Sequence, residues 1–85
     1  MEKYYILWIT IYGEDWEREE KEASLDKKYL KKYIDEYEEK HRRNGEYIPN
    51  ISSIEYCIKE YNEEQIRDIL TVNEYLSLKQ DKQIF

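Results

Sequence analysis

One cysteine, one histidine and four serines are the side chains from which this 85-residue chain would have to draw a thiol or hydroxyl nucleophile and its base. Such a nucleophile needs the base within hydrogen-bonding reach and a third group to orient it. Cys57 falls in the middle of the alternating run SIEYCIKEY, where a small buried hydrophobe is the ordinary role of a free cysteine. His41 ends a charged helical run, where its cationic form complements the helix dipole, and no partner for proton transfer is evident. The same two residues are the only thiolate and imidazole ligands, and no CxxC, HxxxH or EF-hand spacing occurs. Asp35, Glu36, Glu38 and Glu39 spread over more than half the circumference of a helix, as a solvated face does. The two glycines, Gly13 and Gly45, are isolated and make no phosphate cradle. No catalytic residue, metal or cofactor is expected, and the chain reads as a non-enzyme.

Binding is the alternative to chemistry, and GEDWEREEKEAS, residues 13–24, is where it would be sought. Between Glu14 and Glu22 six acids (Glu14, Asp15, Glu17, Glu19, Glu20 and Glu22) stand against Arg18 and Lys21, so this stretch alone carries −4 of the chain's −6. Same-face neighbours in a strand lie about 6.5–7 Å apart, comparable to successive phosphates of a nucleic acid, which suits an acidic surface that imitates one. Protection of an edge strand against pairing with other chains explains the same charges without a partner. The tyrosines favour a partner. Ten tyrosines and two tryptophans are more than so small a core can hide, because each hydroxyl draws its ring toward water or a hydrogen-bonding group. Tyr, Trp and Arg are also the residues enriched at interface hot spots, and Trp16 is the best single anchor, unless its ring folds over Tyr5 or Ile11 on the sheet.

The bulk composition sets the frame. Eighty-five residues make one domain, and 20 acidic against 14 basic side chains give a field that repels nucleic acid and anionic membranes. With 40% hydrophobic residues the chain is too apolar for a disordered acidic tail. A single cysteine excludes an internal disulfide, and no leader or membrane-length apolar run is evident, so a reducing cytoplasm is expected. A disulfide-free chain this short draws stability from tight packing or from self-association, which admits a homodimer.

The elements follow from periodicity. YYILWITIY, residues 4–12, is apolar on both alternating faces and reads as a central strand covered on both sides. Gly13, Glu14 and Asp15 turn the chain, and Trp16 to Ala23 returns as an edge strand. Ser24 is placed to cap a helix starting at Leu25, with Tyr29, Leu30, Tyr33, Ile34 and Tyr37 on its apolar face and Asn44-Gly45 at its end. Ser53 to Tyr61 alternates as a third strand, and residues 44–52 have room for one more short strand. Asn62 and Gln65 are spaced as a capping box for a second helix, with Ile66, Ile69, Leu70, Val72, Asn73 and Leu76 on its buried face. From about residue 79 the pattern fades into a tail. The class is α+β in the order ββαβα: a small antiparallel sheet of three or four strands packed on one long and one C-terminal helix, residues 1–85 forming a single domain.

An aromatic first strand ending in Gly-acid-acid-Trp, a charged return strand, SLDKKYLKKYIDEYEEK as helix and IEYCIKEY as closing strand resemble the small ββαβ proteins encoded by bacteriophages and mobile elements of low-GC Gram-positive bacteria. The resemblance implies a protein that binds and disables a host protein, such as a CRISPR effector or another defence nuclease; no site residue carries over from it. The leading expectation is therefore an acidic inhibitor that acts in the host cytoplasm. Its basic, nucleic-acid-handling partner would meet Glu14–Glu22 around Trp16, with Glu55, Glu60, Glu63 and Glu64 extending the surface. Two other readings stand beside it. One is a self-associating structural or regulatory module; the other is a small nucleic-acid binder using Lys27, Lys28, Lys31 and Lys32.

Overall fold

The computed structural model describes residues 3–81 and is α+β. Strands β1 (Tyr4–Tyr12), β2 (Glu17–Ser24) and, further along, β5 (Ser53–Tyr61) form an antiparallel sheet in the order β2-β1-β5. Helix α1 (Lys27–Lys40) packs on one face of this sheet, and α2 (Glu63–Ile69) and α3 (Val72–Asp81) on the other. The tiny strands β3 (Arg42–Arg43) and β4 (Glu46–Tyr47) pair with each other between α1 and β5.

The double apolar alternation of β1 supplies both cores. Leu7, Ile9 and Ile11 point toward α1 and are buried with Leu30, Tyr37 and Ile54; Tyr4 and Ile6 point the other way and are buried with Ile66, Leu70 and Leu78. Burying each such aliphatic side chain stabilises the fold by about 1.5–3 kcal/mol relative to exposure. A strand apolar on both sides can satisfy this only as the middle strand between two helical layers.

Several boundaries differ from those the sequence suggests. The cap of α1 is Asp26, whose side chain accepts from the Lys28 N–H at 2.9 Å; Ser24 ends β2 and accepts from the Asp26 N–H, leaving Leu25 to turn into the second core. Trp16 belongs to the β1–β2 loop rather than to β2. The helix stops at His41, not at Asn44-Gly45: those two residues, with φ of 56° and 83°, make the two-residue turn of the β3–β4 hairpin. Positive φ at both positions is the demand of a type I′ turn, which the Asn-Gly pair meets better than a helix cap does.

The C-terminal helix is broken. After the Asn62–Gln65 capping box, α2 ends at Leu70, and a second reciprocal pair starts α3: Thr71 N–H donates to the Glu74 carboxylate at 2.9 Å and Glu74 N–H to the Thr71 hydroxyl at 3.1 Å. The break rotates the helix, so that Leu78 and Tyr75 turn inward while Val72 and Leu76 are 74% and 53% exposed. Lys79, expected in the tail, is helical and lies over the Tyr4 and Tyr75 rings; residues 82–85 of the expected tail lie outside the described residues. No helix among the described residues is long and apolar enough to cross a membrane.

Candidate functional site

The β1–β2 hairpin is closed by the Gly13 N–H donating to the Trp16 carbonyl at 2.8 Å. A Cβ on residue 13 would lie 2.0 Å from the Trp16 indole nitrogen, so glycine is what lets the ring lie against the backbone. Trp16 therefore rests on its own loop rather than on Tyr5 or Ile11. It stays 41% exposed, with the Arg18 guanidinium 5.8 Å from the ring centre.

Beyond the loop, the period of two divides the acids of β2 into two sets. Residues opposite one another in the register share a face, so Arg18, Glu20 and Glu22 lie on the α1 side with Ile11, Ile9 and Leu7. There Glu20 accepts from the Tyr37 hydroxyl at 3.1 Å and pairs with Arg18 at 3.1 Å. Burial, followed by the Glu20 carboxylate, pushes the Tyr37 hydroxyl up to about 12. Burial and then the charge of Glu22 raise Tyr33 in the same way. Glu20 and Glu22 are thus occupied in tying β2 to α1.

Glu17 and Glu19 lie on the opposite face, which α2 and α3 cover only toward its Tyr4–Ile6 end. Across the three strands the uncovered part runs in two rows, Glu17–Tyr12–Ser53 and Glu19–Thr10–Glu55; in the next row, Lys21–Trp8–Cys57, Trp8 already packs against the second core while Cys57 is exposed. Glu55 accepts from the Tyr12 hydroxyl at 3.2 Å, a bond to a carboxylate that raises the Tyr12 pKa. Glu14 and Asp15 are exposed in the loop that joins β1 to β2 at this end of the sheet. Among the described residues the side chains of Glu14, Asp15, Glu17 and Glu19 make no hydrogen bond or ion pair, whereas Lys21 is held by Glu74 at 3.5 Å. Five carboxylates, Glu14, Asp15, Glu17, Glu19 and Glu55, therefore stand at the hairpin end of the sheet, Glu55 and Glu17 acting on the Tyr12 hydroxyl.

Glu60, Glu63 and Glu64 do not join them. They sit at the far end of the sheet, where Tyr61 pairs with Tyr4, eight residues or about 26 Å along the strands. Glu60 lies 3.7 Å from Lys3, and Glu63 accepts from the Tyr75 hydroxyl at 2.6 Å and pairs with Lys79. Glu64 is exposed on α2.

Lys27, Lys28, Lys31 and Lys32 are exposed on the outer surface of α1. The neighbouring rings follow one another along the helix, Tyr29–Tyr33 tilted at 6.3 Å, then Tyr33–Tyr37 stacked at 6.1 Å and Tyr37–His41 stacked at 4.2 Å. His41 also sets its Nδ1 2.7 Å from the Tyr37 carbonyl, so it finishes the helix. Cys57, expected to be buried, is exposed, because the α2–α3 layer does not extend over it. Among the described residues no three His, Cys, Asp or Glu side chains gather as a metal site.

The most connected polar group is one that sequence reading assigned to solvent. Glu38 accepts from the Tyr56 hydroxyl at 2.7 Å, from Tyr47 at 3.0 Å and from Arg42 Nε at 3.3 Å. Burial by itself raises its pKa, but the bonds from Tyr56, Tyr47 and Arg42 prevail and the net shift is downward. Tyr56 moves strongly upward, through burial first and then Glu38. The surplus of tyrosines was the only signal in the sequence that such an acceptor exists. No family model, curated protein or solved structure matches this chain.

Proposed function

We propose that this protein is a non-enzymatic binding module whose acidic hairpin end engages a basic, nucleic-acid-handling bacterial protein and occupies its nucleic-acid site. It would act in the manner of phage-encoded inhibitors of CRISPR effectors and other defence nucleases. The observation that supports this most is the placement of Glu14, Asp15, Glu17, Glu19 and Glu55 at one end of the sheet with Trp16 and Tyr12, where Arg18, the cation beside the Trp16 ring, is already paired with Glu20. Like charges brought together oppose folding, while a basic partner removes that repulsion on binding. The indole and phenol rings supply apolar area that charge alone lacks.

Affinity capture from a nuclease-treated lysate of a low-GC Gram-positive bacterium tests this reading. The native chain should retain one basic protein, lose it as salt rises, and lose it when Glu14, Glu17, Glu19 and Glu55 are all changed to Gln, but not in the Glu63→Gln/Glu64→Gln control. The purified partner should release labelled nucleic acid when the protein is added. Equal capture by the quadruple variant, or capture that depends on nucleic acid, would remove the reading.

A self-associating module is the second reading, favoured by Val72 and Leu76 on the outer side of α3. Light scattering that gives a concentration-independent monomer would exclude it.

A further inference from the structure

The uncovered half of the sheet has more structure than an acidic patch. Thr10 is a small side chain in the middle strand, and its same-face neighbours along β1 are Trp8 and Tyr12, each about 7 Å away. Across the sheet it is flanked by Glu19 on β2 and Glu55 on β5, each about 4.8 Å away, so the two carboxylate-bearing Cα atoms stand about 10 Å apart. A low residue is thus fenced by two aromatic rings in one direction and two carboxylates in the other. Three of the four walls are fixed in place: Trp8 Nε1 donates to the Tyr61 hydroxyl at 2.9 Å, and Tyr12 and Glu55 hold one another at 3.2 Å. A shallow cavity lined by Trp8, Thr10, Glu19, Cys57, Lys59 and Tyr61 opens beside them.

We infer that this notch over Thr10 seats an arginine side chain of an extended basic segment of the partner. Charge complementarity selects a cation. Two carboxylates are fewer than the six or more oxygen ligands a hard divalent cation takes, and no third His, Cys, Asp or Glu among the described residues gathers with them, but two can accept from opposite edges of a planar guanidinium. Aromatic residues on either side of Thr10 favour the guanidinium, which stacks, over the compact and more strongly hydrated ammonium of lysine. The nearby cations do not neutralise the notch: Lys21 is drawn off by Glu74, and Lys59, which lines the adjoining cavity from the row of Ile6, is one cation against the two carboxylates. The inference rests on the proposed function, since it names the chemistry by which the same surface holds its partner.

The test is a fluorescence titration in a Trp16→Phe background, which leaves Trp8 as the reporter, using a short peptide of alternating arginine and glycine and its lysine counterpart. The arginine peptide should bind more tightly and change the Trp8 emission. Glu19→Gln or Glu55→Gln should each weaken it about tenfold, the scale of one charge-assisted hydrogen bond. Glu14→Gln/Asp15→Gln should have a much smaller effect. Thr10→Arg, which places a guanidinium of the chain's own between the two carboxylates, should fold normally and abolish binding. Equal affinity for the two peptides, or equal losses at the loop tip and at the notch, would overturn the notch while leaving a diffuse acidic surface standing. Failure of both peptides with a protein that still captures a basic partner would also overturn it; failure of both, with no partner captured, would count against the proposed function itself.

Discussion

Replacing Glu38 by Ala should destabilise the fold although it removes an acid from the last turn of a helix, where a negative charge is disfavoured. The dipole contribution is small: an exposed charge at a helix end changes stability by about 0.3–1 kcal/mol, and here the change would be favourable. Against it stand hydroxyl bonds from Tyr56 at 2.7 Å and Tyr47 at 3.0 Å to a carboxylate whose side chain is only 26% exposed. Hydrogen bonds to a charged group contribute about 1.5–3 kcal/mol each, and the two are not additive because Tyr47 can turn to water. The Arg42 contact is solvent-screened and adds little. Subtracting the dipole gain leaves a net loss of about 2–3 kcal/mol, or roughly 10–20 °C in melting temperature for a domain of this size. Thermal and urea unfolding of the native chain, Glu38→Ala, Tyr56→Phe and the double variant form a cycle in which Glu38 and Tyr56 should be coupled by at least about 1 kcal/mol. A Glu38→Ala chain within about 0.5 kcal/mol of the native one, the range of ordinary surface substitutions, would refute the reasoning.

Glu38 and the Tyr37–Glu20 pair set the pH limits. Glu38 is lowered by its donors despite burial, so its contribution is present above its unfolded pKa near 4.5 and is lost as pH falls through the folded value; Tyr37, raised to about 12, contributes below pH 10 and loses that contribution between pH 10 and 12, so melts should fall at both ends of the scale. Gly13→Ala should dislodge the Trp16 ring, seen as a red-shifted, more quenchable emission in a Trp8→Phe background, and an unchanged spectrum would contradict the contact. Gly45→Ala meets no atom within 4 Å, so its cost should be backbone strain alone, about 1 kcal/mol by thermal melt. Changing Glu17, Glu19 and Glu55 together to Gln should leave the melting temperature equal or higher, most clearly at low salt; a lower one would assign these acids to the fold.

Much of the architecture is legible in residue order. The two-sided apolar run of residues 4–12 can be nothing but a middle strand, and Ser53–Tyr61 is bounded on one side by the Pro49-Asn50 turn and on the other by the Asn62–Gln65 box. The break at Leu70–Thr71 was also written there, as Thr71 with Glu74 three residues on, but a continuous apolar period through Val72 and Leu76 masks it. What residue order does not hold is which side of a strand another layer will reach. Cys57 and Tyr61 alternate identically on β5, yet the short α2–α3 layer covers the row of Tyr61 and leaves Cys57 open. For the same reason the period of two in β2 sets Glu20 and Glu22 on one face and Glu17 and Glu19 on the other, but only the fold assigns the first pair to α1 and leaves the second uncovered.

That separation decides how much of the acidity edge protection can explain. An edge strand is guarded by any charge that spoils pairing, and lysine serves as well as glutamate. On the α1 side of β2 the charges are mixed and engaged: Arg18 with Glu20, Glu20 with Tyr37, Glu22 beside Tyr33. Guarding the edge requires no more than this. On the other side the charges nearest the hairpin are of one sign and are joined by Glu55 from a strand that β1 separates from β2. Two loop-tip acids add to the same end. A concentration of one sign across three elements costs the folded state repulsion and gives the edge nothing that alternating charges would not; only a cationic partner turns it to advantage. The hairpin end, with Trp16 beside it and Thr10 set low between its walls, is accordingly the surface on which binding should be sought.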